Sequence, residues 1–155
     1  MDDQVFLREA LQGLRARGKI GLLDRAWLSM HNYTLNQPIE ERPDGSGFFK
    51  FRAYHKIVRE QLGRDMPMIG TEGGTFIGQH EDKTHPPVTA QKAVDMAQTA
   101  YRYMKDQREP WNFVYSFWTI ANEAGGGHDQ SFREHALFRK DGSVNPVVHA
   151  LRALG

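Results

Sequence analysis

Three short apolar runs, separated by longer stretches of helical periodicity, constrain this chain more than any other feature. The runs are Arg25-Ala26-Trp27-Leu28-Ser29-Met30-His31, Met66-Pro67-Met68-Ile69-Gly70-Thr71-Glu72 and Asn112-Phe113-Val114-Tyr115-Ser116-Phe117-Trp118. Each has the length and composition of a buried strand. Between the first two, Phe48, Phe51, Tyr54, Ile57, Val58 and Leu62 recur at helical spacing, and Gly63 sits where a helix C-terminus wants it. Between the second and third, a helix over about 89–107 buries Val94, Ala97, Tyr101 and Met104. Residues 3–17 form an amphipathic first helix that places Phe6, Leu7, Ala10, Leu11 and Leu14 on one face and ends at Gly18. Asn145-Pro146 caps a last helix carrying Val147, Val148, Leu151 and Leu154. The order α-β-α-β-α-β-α calls for an α/β fold with a parallel sheet, because parallel strands need crossover helices. With no internal repeat or long linker, residues 1–155 read as a single domain.

The chain has 155 residues, of which 11% are aromatic and 25% charged, as in an ordinary globular protein. Its formal net charge is +1, from 20 basic and 19 acidic side chains. That balance creates no long-range field to gather nucleic acid or an anionic membrane, so neither is expected as a partner. The absence of cysteine excludes disulfides, thiolate catalysis and thiolate metal sites. The acidic, amphipathic start lacks the design of a secretion signal, and no apolar run approaches about 18 residues. If Met1 is the genuine start, a cytoplasmic protein is expected.

In parallel α/β folds the carboxyl ends of the strands share one face, and ligand groups gather there. The three strand ends of this chain supply His31-Asn32-Tyr33, then Glu72, then Trp118 with Asn122-Glu123 just beyond. Gly73-Gly74 lets the backbone turn beside the acid without side chains in the way. The set offers a carboxylate, a phenol and an imidazole able to hydrogen-bond it, and an indole face for a sugar ring. Each member has a plainer reading. Glu72 could cap a helix or pair in a loop, Trp118 could be core, and His31 and Tyr33 could satisfy buried backbone groups. Their coincidence at successive strand ends favours a binding or catalytic role.

Trp27-Leu28-Ser29-Met30-His31-Asn32-Tyr33, Pro67-Met68-Ile69-Gly70-Thr71-Glu72-Gly73-Gly74 and Val114-Tyr115-Ser116-Phe117-Trp118 resemble strands six, seven and eight of retaining glycoside hydrolases. These are the (β/α)8-barrel enzymes related to cellulases and β-mannanases. Leu137-Phe138-Arg139-Lys140-Asp141-Gly142-Ser143-Val144-Asn145-Pro146 resembles their run into the last helix. The resemblance covers the chain from about residue 20 to its end. It implies a partial TIM barrel, about three C-terminal βα units, acting on O-glycosidic bonds. By it Glu72 matches the nucleophile and Tyr33 the tyrosine that hydrogen-bonds the nucleophile. His31, with Asn32 beside it, matches a substrate contact, and Trp118 the aromatic floor of the subsite holding the reacting sugar. No metal or organic cofactor is implied.

The family carries its acid/base glutamate after an asparagine on strand four, and this chain has no counterpart to strands one to four. Asn122-Glu123 repeats the dipeptide but follows strand eight. Three strands cannot close a barrel, so the missing half would come from a longer enzyme, a partner or another copy. Two other classes remain. A non-catalytic sugar-binding or assembly module would keep Trp118 and the aromatic residues Phe48, Phe49 and Phe76 without cleaving anything. A metal-dependent barrel enzyme would use His80 and His85 with Glu81 and Asp82, although their spacing is no recognised helical ligand pair. Gly125-Gly126-Gly127 lacks the Gly-Lys-Ser/Thr of a phosphate loop.

Overall fold

A computed structural model describes residues 2–40, 42, 44–121 and 135–155. Helix α1 spans Asp3–Ala16 and is capped by Asp2, whose carboxylate accepts from the Gln4 and Val5 amides. A 3₁₀ turn over Ile20–Leu23 leads to strand β1, Leu28–Tyr33. Helix α2, Lys50–Leu62, ends at Gly63, whose φ of 73° is the left-handed conformation foreseen for a glycine there. Strand β2, Met68–Gly74, is followed by α3, Ala90–Asp106, capped by Thr89, and by β3, Asn112–Tyr115. Helix α4, Pro146–Arg152, begins behind the Asn145 cap with proline in its first turn. No helix among the described residues is long and apolar enough to cross a membrane.

The strands form one open sheet in the order β1-β2-β3, with both pairs parallel. The molecule is thus a mixed α/β protein in which α2 and α3 connect successive parallel strands. One face of the sheet is packed. Met30 and Met68 join Phe48, Phe51, Tyr54, Ile57, Val58 and Tyr103 in the main core, which lies between the strands and helices α2 and α3. A smaller cluster of Val88, Ala93, Ala97 and Val147 joins α3 to α4. The opposite face is uncovered among the described residues: Ser29, His31, Phe113 and Val114 are exposed, and Val114 retains 40% of its accessible surface.

All three strands differ in their boundaries from the sequence reading, β2 running Met68–Gly74, two residues later at each end than the 66–72 run. Strand β1 starts three residues later than the apolar run, because pairing begins at Leu28 opposite Met68 and leaves Trp27 52% exposed. It then runs on through polar His31 and Asn32, held by backbone bonds to β2 rather than by apolarity. The ladder of β3 ends at Tyr115, not at Trp118. The Ser116 and Trp118 amides still donate to the Gly70 and Gly73 carbonyls at 2.8 and 2.9 Å, so the chain stays beside β2.

Register also breaks twice. Opposite Met30 and His31, β2 uses Gly70 and then Glu72, so Thr71 is an extra residue. Opposite Met68 and Ile69, β3 uses Asn112 and then Val114, making Phe113 extra. Such bulges put two successive side chains on one face. Both Phe113 and Val114 are accordingly exposed.

Candidate functional site

Glu72 owes its position to the Thr71 bulge. Side chains alternate along a strand, and Met68 and Gly70 face the buried side. Strict alternation would send Glu72 to that side as well. The extra residue resets the count, so Thr71 and Glu72 both lie towards the open face. Thr71 Oγ1 lies 2.8 Å from Ser29 Oγ on that side, and the burial of Gly73 marks the resumed alternation.

On the open face Glu72 meets the two side chains named from β1. The Tyr33 hydroxyl donates to Glu72 Oε2 at 2.9 Å, and His31 Nδ1 lies 3.2 Å from the same oxygen. Among the described residues Oε1 carries no hydrogen bond, so one oxygen is anchored while the other is available to an incoming group. Burial pushes the Tyr33 phenol well above its ordinary range, and the hydrogen bond and charge of Glu72 add to the shift. Tyr33 therefore stays protonated at every ordinary pH and acts towards Glu72 as a donor. The Glu72 side chain keeps 26% of its surface and that of His31 55%, so the group is reachable from solvent. Beside His31 and Tyr33 a cavity of about 330 Å³ opens, bounded on its far side by Arg42 and Lys50.

Asn32 does not join them, which corrects its expected role as a sugar-hydroxyl contact. It lies between His31 and Tyr33 in sequence, so alternation turns it to the packed face. There it is 2% exposed and donates through Nδ2 to the Phe48 carbonyl at 3.1 Å, tying β1 to the start of α2. Trp118 is half-buried, and its amide bond to the Gly73 carbonyl places it one residue beyond Glu72 along β2. The space among Trp118, His135 and Tyr115 is only about 10 Å³, so this indole is packed on that side. Asn122 and Glu123, like Gly125-Gly126-Gly127, lie outside the described residues.

Of the two glycines after Glu72, Gly74 ends strand β2 with a φ of 99°, as the expected turn requires, whereas Gly73 lies within the strand and does something else. A methyl group on Gly73 would lie 2.5 Å from the Tyr115 ring, and the Gly74 amide donates to the Tyr115 hydroxyl at 2.7 Å. Only a bare backbone lets this buried phenol lie under the strand end that carries the acid. Sequence reasoning passed over Tyr115 as strand filler. It also passed over His135, which packs edge-on to Tyr33 with ring centroids 5.8 Å apart. The Gly73-Gly74 pair opposite an aromatic strand was the available signal for the first; nothing local marked the second.

The His80–His85 loop is occupied by its own structure. Asp82 accepts from the Thr84 hydroxyl at 2.6 Å, the Thr84 amide at 2.8 Å and Gln37 Nε2 at 2.7 Å. Those hydrogen bonds, the Thr84 hydroxyl first, hold its carboxyl down at about 2. Among the described residues no three histidine, cysteine, aspartate or glutamate side chains converge closely enough to hold a metal ion. Comparison with known protein families finds no match for this chain, and no curated protein or solved structure matches it significantly.

Proposed function

We propose that this chain is the nucleophile-bearing part of a retaining glycoside hydrolase, the last three βα units of a (β/α)8 barrel. The observation that carries the reading is Glu72 itself. It is a solvent-reachable carboxylate at the end of a parallel strand, with one oxygen accepting from the Tyr33 phenol and an imidazole of the neighbouring strand 3.2 Å away. In a retaining mechanism a carboxylate attacks the anomeric carbon while a second carboxyl group protonates the departing oxygen. The nucleophile must be ionised, and donors such as Tyr33 favour that form. Tyr33 and His31 also fix the rotamer, so Oε1 attacks from a set direction. Trp118 floors the subsite by stacking, and His31 contacts a sugar hydroxyl. The acid/base residue comes from the missing part of the barrel, whether further chain, a partner or another copy. Two features support such a complement: among the described residues the sheet is open at both edges, and its inner face carries exposed Phe113 and Val114.

The test separates the nucleophile from the missing acid. The activated leaving group of a 2-deoxy-2-fluoroglycoside departs without protonation as the carboxylate bonds the anomeric carbon, so the reagent reports on Glu72 alone. Incubation followed by peptide mass mapping is expected to find a covalent adduct on Glu72, lost in Glu72→Gln. An adduct on another residue, or none, overturns the assignment. Binding of the sugar without any adduct would instead favour the sugar-binding module.

A further inference from the structure

The cavity beside His31 and Tyr33 has a wall that hydrolysis of a neutral sugar does not require. Its volume is about 330 Å³, and Arg42, Asp44 and Lys50 line it together with those two residues. The wall is built with care. Asp44 Oδ1 accepts from the Ser46 amide at 3.0 Å and the Ser46 hydroxyl at 2.7 Å, closing a tight turn. Gly45 and Gly47 hold left-handed φ values of 67° and 74°. A methyl group on Gly45 would lie 2.6 Å from Ala53 Cβ, so the turn is seated directly on α2.

Arg42 is what this turn holds in place. A methyl group on Gly47 would lie 3.4 Å from its Cδ, so the arginine stem packs along the turn. Among the described residues its only ion pair is long, Nε to Asp44 Oδ1 at 3.5 Å, and that oxygen already serves Ser46 twice. Arg42 Nε is buried and has no hydrogen-bond partner among the described residues, while 30% of the side chain faces solvent. A guanidinium has five donors in a planar fork that matches a carboxylate. Lys50 also lines the cavity, with its charge paired to Asp3. An anion arriving here would meet repulsion from nearby Glu72, and the loosely paired Arg42 guanidinium offsets it.

We infer that the cavity between β1 and the 44–47 turn receives the carboxylate of an acidic sugar, a uronic acid residue, with Arg42 as the specificity-determining group. This rests on the carbohydrate reading of Glu72 and names its substrate class. Arg42 touches the carboxylate through its fork.

The experiment compares methyl β-D-glucuronide with methyl β-D-glucoside, which differ in the carboxylate, by calorimetric titration of this chain. The expected result is at least about tenfold tighter binding of the glucuronide, as one charge-assisted pair supplies. The preference should vanish in Arg42→Ala and Arg42→Gln while glucoside affinity stays unchanged, which also shows that both variants are folded. Equal binding of the two sugars by the unaltered chain overturns this inference and leaves the role of Glu72 standing. A preference that survives both substitutions overturns the assignment to Arg42. Binding of neither sugar overturns the inference and the carbohydrate reading together. A preference for acetate over both sugars also overturns it, because the cavity then recognises any small anion.

Discussion

At the scale of single residues, the site depends on how closely backbone and rings approach one another. Gly73 is the sharpest case, because its missing side chain is the space the Tyr115 ring fills at 2.5 Å. Gly73→Ala is therefore expected to destabilise the protein by about 1–3 kcal/mol through overpacking. Denaturant titration measures it, and combining it with Tyr115→Leu should recover part of the loss because the ring edge is gone. Full additivity of the two changes would show that the ring is not what Gly73 accommodates. Asn32 makes the complementary point. Its neighbours face the open side, yet it ties β1 to the Phe48 carbonyl from the packed side.

At the scale of elements, the Thr71 bulge in β2 decides what the strand can do. It converts an alternation that would bury Glu72 into one that presents it beside Tyr33 and His31. Deleting Thr71 removes only the extra residue and joins Gly70 to Glu72, which regular alternation then keeps opposite His31 on the open face. The carboxylate should therefore stay beside Tyr33 and His31, and fluorosugar labelling of Glu72 should survive the deletion. Loss of labelling in a deletion protein that still unfolds cooperatively in urea would show that strand register is not what aims the acid.

At the scale of the whole molecule, the sheet has one dry face and one open face, and their residues should answer substitution differently. Met68 is fully buried in the main core, so Met68→Ala is expected to cost about 2–5 kcal/mol. Val114 is exposed on the open face, so Val114→Lys should change the stability of the isolated chain by no more than about 0.5 kcal/mol. If a complement covers that face, the same Val114→Lys abolishes association in light scattering while leaving the unfolding midpoint unchanged. A loss of several kcal/mol in the isolated chain would mean that the face is already packed.

Much of the architecture was legible along the chain because it follows from local periodicity. The spacing of Phe51, Tyr54, Ile57 and Val58, the Asn145-Pro146 cap and the left-handed Gly63 each act within a few residues, so the helices and their order could be read directly. The meeting of Glu72 with Tyr33 and His31 was legible too, since parallel strands of similar length align their ends. What pattern could not supply is phase. Whether Thr71 is an extra residue, and hence which face receives Glu72, is settled by hydrogen-bond register between strands 40 residues apart. The same register put Asn32 in the core and left Val114 in the open, and it ended β3 at Tyr115. Local chemistry determined which segments would be strands and which acid stood at a strand end. Only the tertiary pairing decided where each side chain points, because a shift of one residue exchanges the two faces of a sheet.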